Sequence, residues 1–332
     1  MARILFAGGG TAGHIEPAWA VSQVWQQRFP NDEIAFLGTR SGLEVTLIPE
    51  RNGTLFLIPK VVAPRTLNIA ALLFPFRIIN SVLKSISIVK RFDVVVGFGG
   101  RKPIVVHDQN AKIGLANKFG AIFTKEIAVA YSDSGIPGAQ IVGNPLKTEI
   151  VKSSVQNDWE SARQKAKQAL GVVGNLILVI GGSSGSRAIN EVIAKTNFAG
   201  NFVIHSLGKD NPLPMQTDNY RPLSYIDDMA TALLAADLVI SRSGAIACSE
   251  FAALGKYALF IPLPIGNGEQ AFNARELVAA KKAEIIQQGD FSSTWLEENL
   301  ARLLNSWQTG SFCRYWRFWH ERACSNRNFT WN

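Results

Sequence analysis

The 332-residue sequence holds only three cysteines and four histidines. Cys248, Cys313 and Cys324 show no paired spacing, which excludes a disulfide framework and a thiolate zinc site. The histidines are scattered, so no metal-ligand cluster is expected. Long hydrophobic runs are missing too. The run from Ile69 to Phe76 falls far short of the ~20 residues that span a bilayer. Met1-Ala-Arg-Ile-Leu-Phe leads straight into glycines, without the apolar centre of a signal peptide. A cytoplasmic protein is therefore expected. Charged residues are 18% against 47% hydrophobic, which marks a globular chain and not a disordered one.

Acid is unevenly spread. Residues 1–146 carry 15 Lys+Arg and 9 Asp+Glu, while the rest carries 19 and 17, so the excess of +8 sits mostly in the first half. Residues 52–92 hold no acidic residue, but do hold Lys60, Arg65, Arg77, Lys84, Lys90 and Arg91. Large apolar side chains from Leu67 to Leu83 lie among them. An apolar face rimmed by basic groups suits a membrane interface with anionic headgroups. The plainer reading is a core helix with a solvated basic back.

What is present is a repeated pattern. Arg3–Ala7 reads as a buried strand, Gly8-Gly-Gly-Thr-Ala-Gly-His14 as a glycine loop, and a helix is expected from about Pro17. Gly8, Gly10 and Gly13 match G-x-G-x-x-G, a weak signal by itself. A dinucleotide site would need an acid at the far end of the next strand, Glu33–Thr39. Asp32 and Glu33 stand at its beginning, so a nicotinamide or flavin cofactor is not expected. His14, just past the glycines, reads either as a residue that caps or packs or as a general base or donor to phosphate at the loop. Asn175-Leu-Ile-Leu-Val-Ile-Gly-Gly-Ser-Ser-Gly repeats strand and glycine loop. Ala236–Ile240 is another short strand, and Ser243-Gly244 turns it into a helix opening near Ala245. Free backbone N–H groups at such a turn attract phosphate, and Glu250, about one and a half turns on, suits the hydroxyls of a ribose. Thr294-x-x-Glu297 reads as a capping box for a helix ending near Trp307.

One junction conflicts with this pattern. Phe92–Gly100 and Pro103–Asn110 both read as buried parallel strands, yet only Arg101 and Lys102 separate them. A parallel crossover normally takes a dozen or more residues. Either the two strands pair unusually or a crossover helix is missing. Beyond Gln308 the periodicity ends: residues 311–332 hold seven aromatics among arginines and asparagines. That tail reads as foreign to a folded domain, with an aromatic-basic anchor as the alternative.

Taken together, Gly8–His14, Gly181–Gly185, Tyr225–Met229, Arg242–Glu250 and Gly268–Ala274 resemble the MurG family of peptidoglycan glycosyltransferases, from residue 1 to about 307. The resemblance implies an α/β GT-B fold: two Rossmann-like doubly wound domains facing across a cleft. It divides the chain into a domain over 1–146, acceptor- and membrane-facing, with an apparent deletion near 100–103. A linker follows over 147–160, then a UDP-GlcNAc-binding domain over 161–307 and an atypical tail over 308–332. It further implies transfer of GlcNAc, with inversion, from UDP-GlcNAc to lipid I (undecaprenyl-pyrophosphoryl-MurNAc-pentapeptide), giving lipid II. The setting would be the cytoplasmic face of the bacterial membrane, with anionic phospholipid as a partner through residues 61–91, no nucleic acid, no cofactor and no metal.

Carried over by motif, Ser183 meets a phosphate, Ile226 offers backbone groups to the uracil, and Gly244, Ala245 and Ile246 lie on the nucleotide. Glu250 holds the ribose, and Gln270, with Glu269 beside it, holds the sugar hydroxyls. Thr11, Ala12, Gly13 and Asn110 come from the first domain, and His14 is the implied base. Lys147 stands where the family usually has arginine, which turns a forked contact into a point charge. Ala247 stands where threonine is common. The family also has a further loop and helix after Phe-Gly-Gly, which this chain lacks. Two other readings accompany the transferase: a nucleotide-sugar-binding remnant without turnover, and a UDP-GlcNAc epimerase of the same fold.

Overall fold

Short apolar runs alternate with helical stretches, a rhythm that builds parallel sheets covered by helices. A computed structural model describes residues 1–8, 12–61, 74–96, 104–122, 124–132, 134–264 and 268–308. It divides into two compact units, residues 1–109 with 113–141, and residues 110–112 with those from 142 onward.

The first unit holds β1 (Arg3–Ala7), α1 (Ala12–Arg28), β2 (Glu33–Thr39), α2 (Glu44–Glu50), β3 (Thr54–Ile58), α3 (Phe74–Val89), β4 (Val94–Val96), β5 (Ile104–Asp108), α4 (Leu115–Gly120), β6 (Ile127–Val129) and β7 (Gln140–Ile141). Its seven strands are ordered β3-β2-β1-β4-β5-β6-β7, all parallel. The second unit holds α5 (Thr148–Ser154), α6 (Trp159–Ala169), β8 (Leu176–Ile180), α7 (Arg187–Ile193), β9 (Phe202–Ser206), β10 (Tyr220–Leu223), α8 (Met229–Ala235), β11 (Leu238–Ser241), α9 (Ala245–Ala253), β12 (Ala258–Phe260), α10 (Glu269–Ala279), β13 (Ala283–Ile285) and α11 (Ser293–Gln308). Its six strands are ordered β10-β9-β8-β11-β12-β13, again all parallel. Each sheet runs outward from its first strand in both directions, the doubly wound order expected from the repeated glycine loops.

The strand sequences explain the burial. Leu176 and Leu178 of β8 face a cluster with Phe251, Phe260 and Leu277, while Ile177 and Val179 face the opposite one with Ile189, Leu296 and Leu300. Both faces are covered, so the strand is apolar throughout instead of alternating. In the first unit Leu5 faces Val89, Phe92 and Val95, and its neighbours Ile4 and Phe6 face Ile15, Phe36 and Ile48.

Several expectations are adjusted. Helix α1 starts at Ala12, five residues before Pro17, so the proline lies inside the helix and not at its start. Ser292, not Thr294, caps α11: its hydroxyl accepts from Trp295 N at 3.2 Å. Glu297 instead accepts from Asn197 N at 2.7 Å, which ties α11 to the loop after α7. The polar stretch after Lys147 contains a helix, α5. Strands β4 and β5 pair in parallel; among the described residues Val95 pairs with Ile104 and Val96 with Val105. The residues of the connection itself, 97–103, lie outside the described residues, as do 62–73 of the basic stretch and the tail from 309.

Candidate active site

In doubly wound sheets a ligand crevice lies outside the carboxyl ends of the strands, where the strand order reverses. In the second unit that point falls between β8 and β11. Two loops meet the condition, Gly181–Ser186 after β8 and Arg242–Gly244 after β11.

The first loop is a tight turn. Gly185 N donates to Gly182 O at 3.0 Å, and both glycines have positive φ, +72° and +95°. Gly185 is required for a second reason: a Cβ there would lie 1.7 Å from Leu207 O. Ser186 ends the turn, its hydroxyl accepting from Ile189 N. Ser183 is half-exposed at the turn's tip. The hydroxyl of Ser183 has no hydrogen-bond partner among the described residues, whereas Ser184 O is held by Asn211 Nδ2 at 3.3 Å.

The second loop is held from below by Arg242. Its guanidinium is buried and donates to Ile261 O at 2.9 Å, Pro262 O at 3.2 Å, Ser186 Oγ at 2.7 Å and Gln288 Oε1 at 2.7 Å. One side chain thus joins the loops that follow β8, β11 and β12. Burial lowers its pKa, but an arginine stays charged at physiological pH. Ser243 is fully buried and its hydroxyl has no partner among the described residues. Gly244 caps α9 without a side chain, and a Cβ added to it would meet nothing within 4 Å. The glycine therefore answers to no neighbour in the unit; it leaves room for an incoming group. The first amides of α9 point into that room. Ala245 is buried beneath it, while Ile246, Ala247 and Glu250 are half-exposed on the helix.

The remaining predicted residues fall as follows. Ile226 has its side chain in the core, so only its backbone can serve a ligand. Asp228 caps α8, accepting from Thr231 N at 3.0 Å and Thr231 Oγ1 at 2.6 Å. Glu269 opens α10 after Gly268, whose φ is +77°. Gln270 Oε1 accepts from Leu263 N at 3.0 Å, which leaves its amide nitrogen for other partners. Lys147 stands at the amino end of α5. Asn110 meets Asn273 of α10: Asn273 Nδ2 donates to Asn110 Oδ1 at 3.2 Å and to Ser243 O at 3.3 Å, and Asn273 Oδ1 accepts from Ala111 N at 2.8 Å. Thr11 lies outside the described residues, as do the side chains of Ala12 and His14; the backbone of Ala12, Gly13 and His14 forms the first turn of α1.

Asn273 was not anticipated, although its spacing of three from Gln270 puts both on one helix face. Nor was the role of Arg242, which the motif contains without explaining. In the first unit, the strand end that lacked an acid in sequence has one in space. Glu44 is buried and accepts from Thr39 N at 2.7 Å and Thr39 Oγ1 at 3.0 Å. Asp32, at the other end, accepts from Ala2 N and Trp25 Nε1, which lowers its pKa and gives it a structural task. Two cavities lie away from these loops: about 640 Å³ beside Lys118, Ile122 and Ile136, and about 510 Å³ beside Trp159, Phe251 and Leu277.

The first unit carries a different kind of feature. Helix α3 rests on Ser81, Ser85, Ile88 and Val89, with Ser81 Oγ donating to Pro59 O at 3.1 Å. Phe76, Ile79, Val82, Leu83 and Ile86 face outward; Phe76 is 69% exposed and Leu83 60%. Arg77 and Lys84, seven residues apart, lie along one flank of that stripe, while Arg91 follows the helix and sets its guanidinium over the Phe56 ring at 6.0 Å. Among the described residues, no helix is long and apolar enough to cross a membrane.

Comparison with known proteins agrees with this architecture. The model of the glycosyltransferase family 28 N-terminal domain matches residues 4–129, and that of the family 28 C-terminal domain matches residues 176–310. The two sheets and their strand-end loops are thus those of a family 28 glycosyltransferase with the GT-B fold. A Nocardia farcinica UDP-N-acetylglucosamine–N-acetylmuramyl-(pentapeptide) pyrophosphoryl-undecaprenol N-acetylglucosamine transferase is 37% identical, over 91% of this chain and 87% of its own. The protein of the same name from Corynebacterium diphtheriae is 38% identical, over 92% and 89%. The crystal structure of Acinetobacter baumannii MurG superimposes with a TM-score of 0.68 at 26% identity, covering 92% of each chain. The chain belongs to the MurG family.

Proposed function

We infer that this chain transfers GlcNAc from UDP-GlcNAc to undecaprenyl-pyrophosphoryl-MurNAc-pentapeptide, the step that makes lipid II for peptidoglycan. The observation that carries this is the 37–38% identity to transferases of that name over nine-tenths of the chain. The second unit takes the donor. The Gly181–Ser186 turn and the amides at Gly244–Ile246 receive the diphosphate, and Ser183 and Ser243 offer free hydroxyls to it. Glu250 accepts from the ribose, Ile226 presents backbone to the uracil, and Gln270, beside Glu269, turns its amide nitrogen to the sugar. Asn110 and Asn273 complete that side, with Lys147 as a point charge. Thr11, Ala12, Gly13 and His14 serve from the first unit.

In the reaction an acceptor hydroxyl attacks the anomeric carbon. The new C–O bond forms as the bond to the β-phosphate breaks, with inversion, and His14 takes the hydroxyl proton. UDP leaves with the bonding electrons. Backbone amides at the two loops stabilise the charge it gains, the usual largest contribution in such sites.

The apolar stripe of α3 with its basic flank gives the chain a face for an anionic phospholipid surface, where the lipid-linked acceptor resides. Burying side chains of this size contributes about 1.5–3 kcal/mol each. Peripheral attachment to the cytoplasmic face of the bacterial membrane follows. An epimerase would have no use for such a face. The test is paired, on one preparation: UDP-GlcNAc binding by calorimetry, and transfer of labelled GlcNAc to a short-chain lipid I analogue. Binding with transfer is expected. Binding without transfer would reduce the chain to a nucleotide-sugar-binding protein, and absence of binding would remove the donor site.

A further inference from the structure

A buried histidine stands behind the glycine turn, and the directions of its hydrogen bonds can be deduced. His205, in the middle of β9, is fully buried. Its Nδ1 lies 3.0 Å from Tyr220 Oη and its Nε2 lies 3.1 Å from Asn190 Oδ1. Asn190 Nδ2 donates to Leu207 O at 3.1 Å. A carbonyl only accepts, so the amide nitrogen of Asn190 must face Leu207 and its oxygen must face the ring. That oxygen needs a donor, so Nε2 carries the proton. Nδ1 of the neutral ring then only accepts, and Tyr220 donates to it. Every hydrogen in the chain Tyr220 to His205 to Asn190 to Leu207 points the same way.

The chain ends at the turn proposed to hold the donor diphosphate. Leu207 O also accepts from Asn211 Nδ2 at 2.9 Å, and Asn211 Nδ2 reaches Ser184 O. The Cα of Gly185 sits against Leu207 O so closely that no side chain fits between them. Gly208 is also too close for a side chain on the other side: a Cβ there would lie 2.4 Å from Ser184 O. Two stretches of backbone, Ser184–Gly185 and Leu207–Gly208, therefore lie directly on one another. The height of the second sets the height of the first. An apolar core would hold β9 at lower cost, because buried polar groups must all be satisfied. A one-directional relay ending on a single carbonyl does something an apolar core cannot: it fixes where that carbonyl stands.

We propose that His205, held as the Nε2–H tautomer by Asn190 Oδ1, is a positioning residue for donor binding: through Asn190 it sets the Leu207 carbonyl on which the Gly182–Gly185 turn rests. This depends on the reading that the turn receives the UDP diphosphate. Misplacing a binding group by an ångström can cost as much as ~100-fold, and a partial shift is expected here.

The experiment compares wild type, His205→Gln, His205→Leu and Tyr220→Phe. Glutamine can still donate to Asn190; leucine cannot. His205→Leu should raise the Kd for UDP and the KM for UDP-GlcNAc about tenfold with kcat less affected, while His205→Gln stays within about threefold. Tyr220→Phe should give an intermediate rise. ¹⁵N spectra of the wild-type ring should show protonated Nε2 and bare Nδ1. Equal UDP affinity in all four proteins, whatever their melting temperatures, would overturn the proposal, and so would a ring protonated on Nδ1. Should His205→Leu fail to fold, the glutamine and phenylalanine variants and the spectra still decide. A wild-type protein that binds no UDP would defeat the donor-site reading instead, and the tautomer would be measured independently of it.

Discussion

Helices α3 and α9 are both apolar, and the protein uses them in opposite ways. Helix α9, Ala-Ile-Ala-Cys-Ser-Glu-Phe-Ala-Ala, turns Ala245, Cys248 and Phe251 into the core of the second unit. Burial there is so complete that the Cys248 thiol is pushed far up in pKa, which makes it an inert apolar group. Helix α3, Phe-Pro-Phe-Arg-Ile-Ile-Asn-Ser-Val-Leu-Lys-Ser-Ile-Ser-Ile-Val, does the reverse. It sits on two serines and its last apolar residues, and turns its largest side chains outward. The same composition thus means core in one unit and an exposed face in the other. Contiguous exposed apolar surface generally marks an interaction site. On the function proposed above, the difference separates two tasks by position: nucleotide binding at the strand ends of the second unit, surface binding at α3 of the first. Damage to one should leave the other intact.

The largest effect is expected at Gly185. Valine there would set its Cβ 1.7 Å from Leu207 O at a φ of +72°, so the turn cannot keep its shape. UDP-GlcNAc affinity in Gly185→Val should fall by more than ~100-fold, the scale of a displaced site. Binding to vesicles containing anionic lipid should match wild type. Calorimetry and vesicle sedimentation on the same variant check both halves. Loss of vesicle binding as well would mean that the two functions are not separable.

The reciprocal change comes next. Phe76→Ser with Leu83→Ser removes the two most exposed side chains of the α3 stripe. At about 1.5 kcal/mol each, the lower end of the range for such side chains, the loss of vesicle affinity should be about 100-fold. UDP affinity and turnover of a water-soluble acceptor analogue should not change. Added salt should weaken the wild-type interaction further, since Arg77 and Lys84 act through screened charge. Unchanged vesicle binding in the double variant would leave the exposed stripe without a purpose.

Both sheets and most loops were legible from residue order. Parallel strands buried on two faces are continuous apolar runs, and Gly-Gly-Ser-Ser-Gly and Arg-Ser-Gly-Ala cannot be read as anything but turns between strand and helix. The start of α9 at Ala245 follows from Ser243-Gly244 alone. What was illegible depended on contacts distant in sequence. Glu44 serves the end of β2 from the next helix, so a search for acids at the strand's end missed it. Asn273 joins Asn110, Ala111 and Ser243, which no local pattern brings together. Thr294 and Ser292 both precede a glutamate-bearing helix, and only the Trp295 amide decides between them. Periodicity marked α3 as amphipathic but was silent on which face the core would take; two serines on the seated face reverse the usual answer. The β4–β5 junction stays open between an unusual pairing and a missing crossover, because residues 97–103, which would decide it, lie outside the described residues.

The smallest predicted effect concerns acid, and it sharpens the contrast between the units. His205 in the second unit has its pKa lowered by burial from 6.5 to about 4, so the folded protein holds it neutral. Tyr220 and Asn190 bond to the ring; no charged side chain among the described residues does. Between pH 6.5 and 4 the unfolded chain binds a proton at this site that the folded chain does not. Stability therefore rises with pH across that window and falls as pH drops through it. The slope from one such group approaches about 1.4 kcal/mol per pH unit, worth about 3–6 °C in melting temperature for a unit of this size. Asp32, in the first unit, is shifted in the same direction but in a lower window: its pKa is lowered from 3.8 by bonds from Ala2 and Trp25, so its contribution is present above the carboxylate range and is lost only as pH falls below it. Melting curves at pH 6.5, 5.5 and 4.5 should thus show a fall in wild type that is shallower in His205→Gln, which has nothing to titrate there. Equal slopes in the two proteins would mean that the ring takes its proton at an ordinary pKa. The core of the second unit would then be more open to water at β9 than its geometry implies.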